Sequence, residues 1–231
     1  MVFNVLYNST KINESIDLIQ QQSPDILCLR ELTPKFEKNM LRRLGSHYPN
    51  HVMYSRQGTW GVGIVSKYPL RNPEYFPLKP HQIPGLQVEV LIHSKVLLVS
   101  CLHLFPPVGK HRQSDNFVTT LKKNERLRMQ QAEYLVKKYK AWSGPILLLG
   151  DMNESRQGDA MRMFAASQFN HSCEKSGSRQ CGATYPAHLE WVPATFEIDH
   201  ILGRGINFRA AQVIRSGGSD HYPVQASFVF E

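Results

Sequence analysis

Apolar residues along this chain gather into short, nearly unbroken runs, and a polar or ionisable side chain closes most of them. Ile26–Leu29 leads into Arg30 and Glu31, Val96–Leu102 into His103, and Ile146–Leu149 into Gly150, Asp151, Met152 and Asn153. Short runs of this kind predict strands covered on both faces. Further strands are expected at Val2–Leu6, His51–Tyr54, Val62–Ser66, Leu86–Ile92, Glu197–Leu202, Phe208–Ile214 and Val224–Phe230. Helical spacing is rarer. Ile12, Ile16 and Ile19 share one face, with Asn13 or Ser15 as the cap and Pro24 as the stop. Phe36, Met40 and Leu44 predict a helix over Pro34–Leu44. Leu127, Tyr134, Leu135 and Tyr139 mark a long helix over Leu121–Trp142, and a short one is expected over Asp159–Ala166.

Strands outnumber helices, and several are apolar on both faces. Two sheets packed together with helices outside satisfy that pattern best. Nothing reads as an interdomain linker, so residues 1–231 are expected to form one domain; that length, 42% hydrophobic, is enough for a substantial core. No apolar run reaches the ~18 residues of a membrane-crossing helix. The net charge of +8 favours polyanions such as nucleic acid, anionic lipid headgroups or phosphorylated small molecules, with a plain solubility charge as the alternative.

Of the four cysteines, Cys28 and Cys101 lie inside apolar runs and read as buried core thiols. Cys173 and Cys181 flank the polar stretch CEKSGSRQC. They either close a small disulfide loop suited to an oxidising compartment or stay unpaired. His171 beside them adds only a weak zinc signal.

The candidate chemistry lies at the strand ends. Glu31, Asp151, Asp199 and Asp220 supply carboxylates, His103 and His221 imidazoles, and Asn153 an amide. Acidic residues also end strands for local reasons. Together, however, the set suits a hard cation held by oxygen ligands, with histidines left for proton transfer. His200, next to Asp199, should point to the opposite face of its strand.

The segments FNVLYN (Phe3–Asn8), PDILCLRE (Pro24–Glu31), GVGIVSKYPL (Gly61–Leu70), CLHL (Cys101–Leu104), GDMN (Gly150–Asn153), IDHIL (Ile198–Leu202) and GSDHYPV (Gly218–Val224) span nearly the whole chain. In content and order this series resembles the endonuclease/exonuclease/phosphatase superfamily, the DNase I-like enzymes. The resemblance implies an α/β (α+β) fold: a four-layered sandwich of two mostly antiparallel sheets with helices outside and the site at one end. It implies a Mg²⁺-dependent phosphoesterase, with Mn²⁺ as a substitute. Glu31 would be the main metal ligand, with Asn4 supporting the metal or phosphate (Asn8 is the alternative match) and Asp220 beside it. Asp151 and Asn153 would position the attacking water and the scissile phosphate. Asp199 would pair with His221, and His103 would contact the phosphate or assist the leaving group. The family usually carries Gln where this chain has Arg30. On the far face of the strand, Arg30 would sit under the site and tune its charge.

The substrate is less legible. Phe105–Thr120 is expected as a loop over the site, offering Lys110, His111 and Arg112, with Lys122, Lys123, Arg126 and Arg128 beyond as phosphate grips, or else as a solvated loop. Trp60, Tyr185 and Trp191 are stacking faces or packing residues. The expected activity is a nuclease. A phosphatase or phosphodiesterase acting on phosphoinositides, sphingomyelin-type lipids or small phosphate esters is the alternative, and an inactive binding module the third. The expected partners are the substrate and an anionic membrane surface, with no protein partner, so the chain is expected to be a monomer. The small bacterial members it most resembles, and a first strand that looks clipped, suggest an extracytoplasmic or membrane-anchored protein with a removed N-terminal segment; the cytoplasm is the alternative.

Overall fold

The computed structural model describes residues 1–107, 116–188 and 193–231. The chain opens with β1 (Val2–Asn4), α1 (Ile12–Gln22), β2 (Ile26–Arg30), α2 (Pro34–Leu44), β3 (Asn50–Tyr54) and β4 (Val62–Ser66). Next come β5 (Leu70–Leu78), β6 (Ile83–Ile92), β7 (Lys95–His103), α3 (Phe117–Tyr139), β8 (Ile146–Asp151) and α4 (Asp159–Ala166). It closes with β9 (Asn170–His171), α5 (Ser172–Lys175), β10 (Asp199–Arg204), β11 (Ile206–Val213) and β12 (Val224–Phe230).

The strands form two mixed six-stranded sheets, ordered β11-β12-β1-β2-β4-β3 and β5-β6-β7-β8-β10-β9. Each holds one parallel pair, β1 with β2 and β7 with β8, among otherwise antiparallel neighbours. The inner faces meet in an apolar layer that includes Val2, Cys28, Ile64, Val99, Cys101, Leu149 and Ile201. Phe3, Leu27 and Leu29 face outward onto Ile16 and Ile19 of α1 and Phe36 and Met40 of α2. Leu98, Leu102 and Leu148 face outward onto Leu135 and Tyr139 of α3 and Phe164 of α4. Alternate residues of one strand therefore serve two different cores, which is why these strands read as continuous apolar runs.

Several expectations shift in detail. Lys11, rather than Asn13 or Ser15, occupies the N-cap of α1 and makes no side-chain cap bond. Helix α3 starts earlier than its apolar residues suggest, because the Asn116 side chain accepts from Val118 N and caps it. Strand β5 was hidden by Pro73 and Pro77. It is an edge strand, bulged between Arg71 and Glu74, where missing ladder donors are tolerated. The reading of Cys28 and Cys101 as thiols is corrected: they form a disulfide across the sheet interface. Each sits in a different sheet's apolar run, so their pairing depends on sheet-to-sheet register, which no local pattern carries. Cys173 and Cys181 are also bonded.

Gly150 lets β8 approach β7. A Cβ there would lie 2.1 Å from the carbonyl oxygen of Leu102. Gly150→Ala should therefore cost about 1–3 kcal/mol, read as a lower midpoint in urea unfolding. An unchanged midpoint would show that the strands can separate there freely.

Candidate active site

The site is the last layer of the inter-sheet core. Because a strand repeats every two residues, the residue two beyond each inner apolar side chain shares its face. Val2 leads to Asn4, Cys28 to Arg30, Cys101 to His103 and Leu149 to Asp151. In β10, antiparallel to β8, Ile201 is preceded by Asp199, which pairs in register with Asp151. One rim of the sandwich thus exchanges an apolar layer for a polar one. All five of these polar residues are buried.

Asn4 Nδ2 lies 3.2 Å from both Glu31 Oε1 and Asp151 Oδ2 and links the two sheets. Asn8, the alternative match, is exposed. Glu31 follows the end of β2 and has φ +57°, a left-handed conformation that ends the strand. Its Oε2 accepts from Tyr7 N at 3.1 Å. Asn153 is also left-handed, at φ +51°, which asparagine tolerates better than most residues. Its Nδ2 donates to Leu104 O at 3.0 Å, and its backbone N–H donates to Asp151 Oδ1 at 3.0 Å.

His221 comes from the final loop. Its Nδ1 lies 2.7 Å from Asp199 Oδ2, and its Nε2 is 3.8 Å from Asp151 Oδ2. His103 Nε2 approaches the same Asp151 oxygen at 3.7 Å. Both are too long for direct hydrogen bonds and suit a shared water. Ser219 ties the loop down: its hydroxyl donates to Asn4 O at 2.6 Å and accepts from His221 N at 3.1 Å. Asp220 is half-buried beside Ser219, close enough to Glu31 to raise that residue's pKa. Trp60 flanks His103 with ring centroids 5.4 Å apart, and Tyr185 flanks His221 at 4.9 Å.

The electrostatics follow from crowding acids in a dry layer. Burial raises the Glu31 pKa, against hydrogen bonds from Tyr7 and Asn4. Burial and then Asp199 push Asp151 up to about 7. Burial alone would lower His221, but Asp199 and Asp151 override it and hold the imidazole up to about 10. His103 goes the other way: burial, Arg30 and His221 all hold its pKa well below the usual histidine range, so it is neutral. The cluster without a cation therefore retains protons that a bound cation would displace. Its oxygen-rich donors fit a hard divalent ion. Asp151, Asp199 and His221 have ligand atoms within 4.8 Å of one another, yet His221 Nδ1 is already bonded to Asp199. Glu31, with Asp220 close enough for its charge to act on it, adds further carboxylate oxygens beside this group.

The model of the endonuclease/exonuclease/phosphatase family matches residues 1–221. The chain belongs to this family. No curated protein matches it in a sequence search. Among solved structures, a functionally unknown conserved protein from Enterococcus faecalis is similar with TM-score 0.78 at 18% identity, covering 100% of this chain and 98% of that one. TDP2 from D. rerio, complexed with a single-stranded DNA product, is similar with TM-score 0.74 at 16% identity, covering 99% and 97%. A mannosyl-6-phosphatase from Bacteroides thetaiotaomicron is similar with TM-score 0.74 at 15% identity, covering 99% and 98%.

Around this family site runs a support network that apolar periodicity missed. Helix α3 buries Asn124, Arg128 and Gln131 in line with Leu135 and Tyr139. Asn124 donates to Pro107 O, and Gln131 accepts from Phe105 N at 2.8 Å. Arg128 is not a phosphate grip. Its Nε donates to Glu154 Oε2 at 2.8 Å in a buried bond, and its Nη1 donates to Phe105 O at 3.2 Å in a partly buried one. The i, i+4, i+7 spacing of 124, 128 and 131 continuing an apolar face was the available signal. Lys122, Lys123 and Arg126 are exposed on the helix, while Lys110, His111, Arg112 and Trp191 lie outside the described residues. As expected, His200 faces away from the site. It lies 2.8 Å from His171 Nε2 and from Glu154 O, and His171 Nδ1 accepts from Cys173 N. Two neutral imidazoles satisfy this chain of bonds, and burial depresses the pKa of both.

Arg128→Met should cost about 3–5 kcal/mol in denaturant unfolding, because it leaves Glu154 buried without its cation. An unchanged midpoint would show that the pair adds nothing. In the metal-free protein, the raised Asp151 pKa also sets a pH window. The unfolded carboxyl ionises near 4 and the folded one near 7, so folding binds the extra proton between them. Stability from this group is therefore complete below pH ~4 and is lost as pH rises to ~7. Asp151→Asn should flatten that part of the melting-temperature profile; an identical slope would refute the assignment.

Proposed function

We propose that this protein is a divalent-metal-dependent phosphoesterase that hydrolyses phosphodiester bonds, with nucleic acid as its substrate class and Mg²⁺, or Mn²⁺ in its place, as the ion. The observation that carries the reading is the His221–Asp199 pair, whose free Nε2 faces Asp151 within one buried layer that also contains Asn4 and His103. Glu31 and Asp220, with Asn4 in support, would hold the ion. Bound there, a divalent cation neutralises phosphate oxygens and the charge growing on the leaving oxygen.

The remaining steps belong to side chains. Asp151 orients the attacking water between itself and the two imidazoles. His221 takes the water's proton once the surrounding carboxylate charge is balanced, and Asp199 holds its tautomer and its charged form. One Asn153 N–H anchors the amide to Leu104 O, and the second donates to the phosphate. His103, neutral in its dry pocket, donates to the phosphate or the leaving oxygen.

Nucleic acid is favoured by the +8 charge and by Trp60 and Tyr185 at the two walls, where bases or sugars would stack. A second reading, a phosphatase acting on a small or lipid-borne phosphate ester, is favoured by likeness to the mannosyl-6-phosphatase equal to that to TDP2. The same charge suits an anionic membrane surface, and two disulfides suit an oxidising compartment.

Plasmid DNA, a bis-aryl phosphodiester, a sugar phosphate and a phosphoinositide should be offered with Mg²⁺, Mn²⁺ or EDTA. We expect EDTA to abolish turnover and His221→Ala to lower it ~10²–10⁴-fold. DNA cleavage should fall steeply with salt, whereas small-ester hydrolysis should not. Turnover that survives both EDTA and His221→Ala would sink the proposal.

A further inference from the structure

Arg30 has no part in the steps above, yet it is the largest fully buried side chain among the described residues. It ends β2 on the inner face, beside Asn4 in the parallel register. Its Nη1 reaches across to Pro84 O of the opposite sheet at 3.3 Å. Its Nε and Nη2 are buried and meet no acceptor among the described residues. A guanidinium held this way is costly. Burial lowers its pKa to about 10, against Glu31 and Asp151, whose carboxylates lie near enough to favour its charged form. A guanidinium stays protonated at neutral pH, and no direct ion pair among the described residues neutralises this one.

We propose that Arg30 is a resident cation that weakens the site's hold on its divalent ion and keeps the site to a single ion. The proposal rests on the metal-site reading above. Two features support it. The Asn4 amide already occupies the oxygens through which Glu31 and Asp151 would share a cation. Arg30 places a fixed positive charge behind that same pair, where the low dielectric makes its repulsion of a second cation strong. On the metal-site reading the ion sits instead at Glu31, where the charge of Asp220 also acts. Arg30 is thus a positioning residue that acts on the ion through the field, without touching substrate.

The test is Mn²⁺ binding to the intact protein, counted by the electron spin resonance of free Mn²⁺ and measured by calorimetry, so that it does not depend on turnover. Wild type should bind one ion at the site. Arg30→Gln should bind Mn²⁺ at least about tenfold tighter or take up a second ion, and Arg30→Lys, which keeps the charge, should stay near wild type. Equal affinity and count in wild type and Arg30→Gln would overturn the role of Arg30 and leave the metal site standing. Two ions in wild type would overturn it as well, and that count holds even if circular dichroism shows Arg30→Gln unfolded. If wild type binds no Mn²⁺, the metal-site reading itself fails.

Discussion

Everything at the site depends on two pleated sheets packing face to face in a single register. Pleating sends alternate residues inward, so each inner strand contributes a column of side chains to the space between the sheets. Over most of their length the columns are apolar, and their burial holds the sheets together. At one rim, β1, β2, β7, β8 and β10 each change to a polar residue at the same level. Packing that aligns Val2, Cys28, Cys101, Leu149 and Ile201 necessarily aligns Asn4, Arg30, His103, Asp151 and Asp199 above them. The Cys28–Cys101 disulfide fastens the sheets one layer below Arg30 and His103.

A polar layer so deeply buried is expensive, and the structure offsets the cost in three ways. Asn4 shares one amide between two carboxylates from different sheets. Burial raises the pKa values of Glu31 and Asp151, which lightens the cost of their charge. Positive charge from His221 and Arg30 stands within the same field. None of these is complete: among the described residues, two donors of Arg30 and Asp199 Oδ1 find no hydrogen-bond partner. Incomplete satisfaction leaves hydrogen-bonding and charge capacity in the buried layer.

The rim is also braced from behind. Arg128 and Glu154 form a buried pair between α3 and the turn that carries Asn153. The His171–His200 chain carries the bracing on to the Cys173–Cys181 loop. Such supports hold reacting groups within the narrow tolerance catalysis requires. Trp60 and Tyr185 stand outside this bracing, against His103 and His221.

Much of this was legible in the order of residues. Apolar runs ending in Glu31, His103, Asp151 and Asn153 announced strands that deliver chemistry at their ends, and the motif series carried the family. Pro34–Leu44, Val62–Ser66, Asp159–Ala166 and Val224–Phe230 could be bounded from pattern alone, because propensity and periodicity are local. What a residue meets from another element could not be read. The bond between Cys28 and Cys101, the burial of Arg128 against Glu154 and the pairing of His171 with His200 each join segments far apart in the chain. Strand β5 needed an edge position to make its prolines tolerable, and Glu31 needed a left-handed backbone to turn toward Asn4. The sequence by itself determined which faces are apolar and which chemical groups end the strands, since both follow from short-range period and composition. Only the tertiary structure decided which of those groups share one buried layer, because that depends on the register of two sheets against each other.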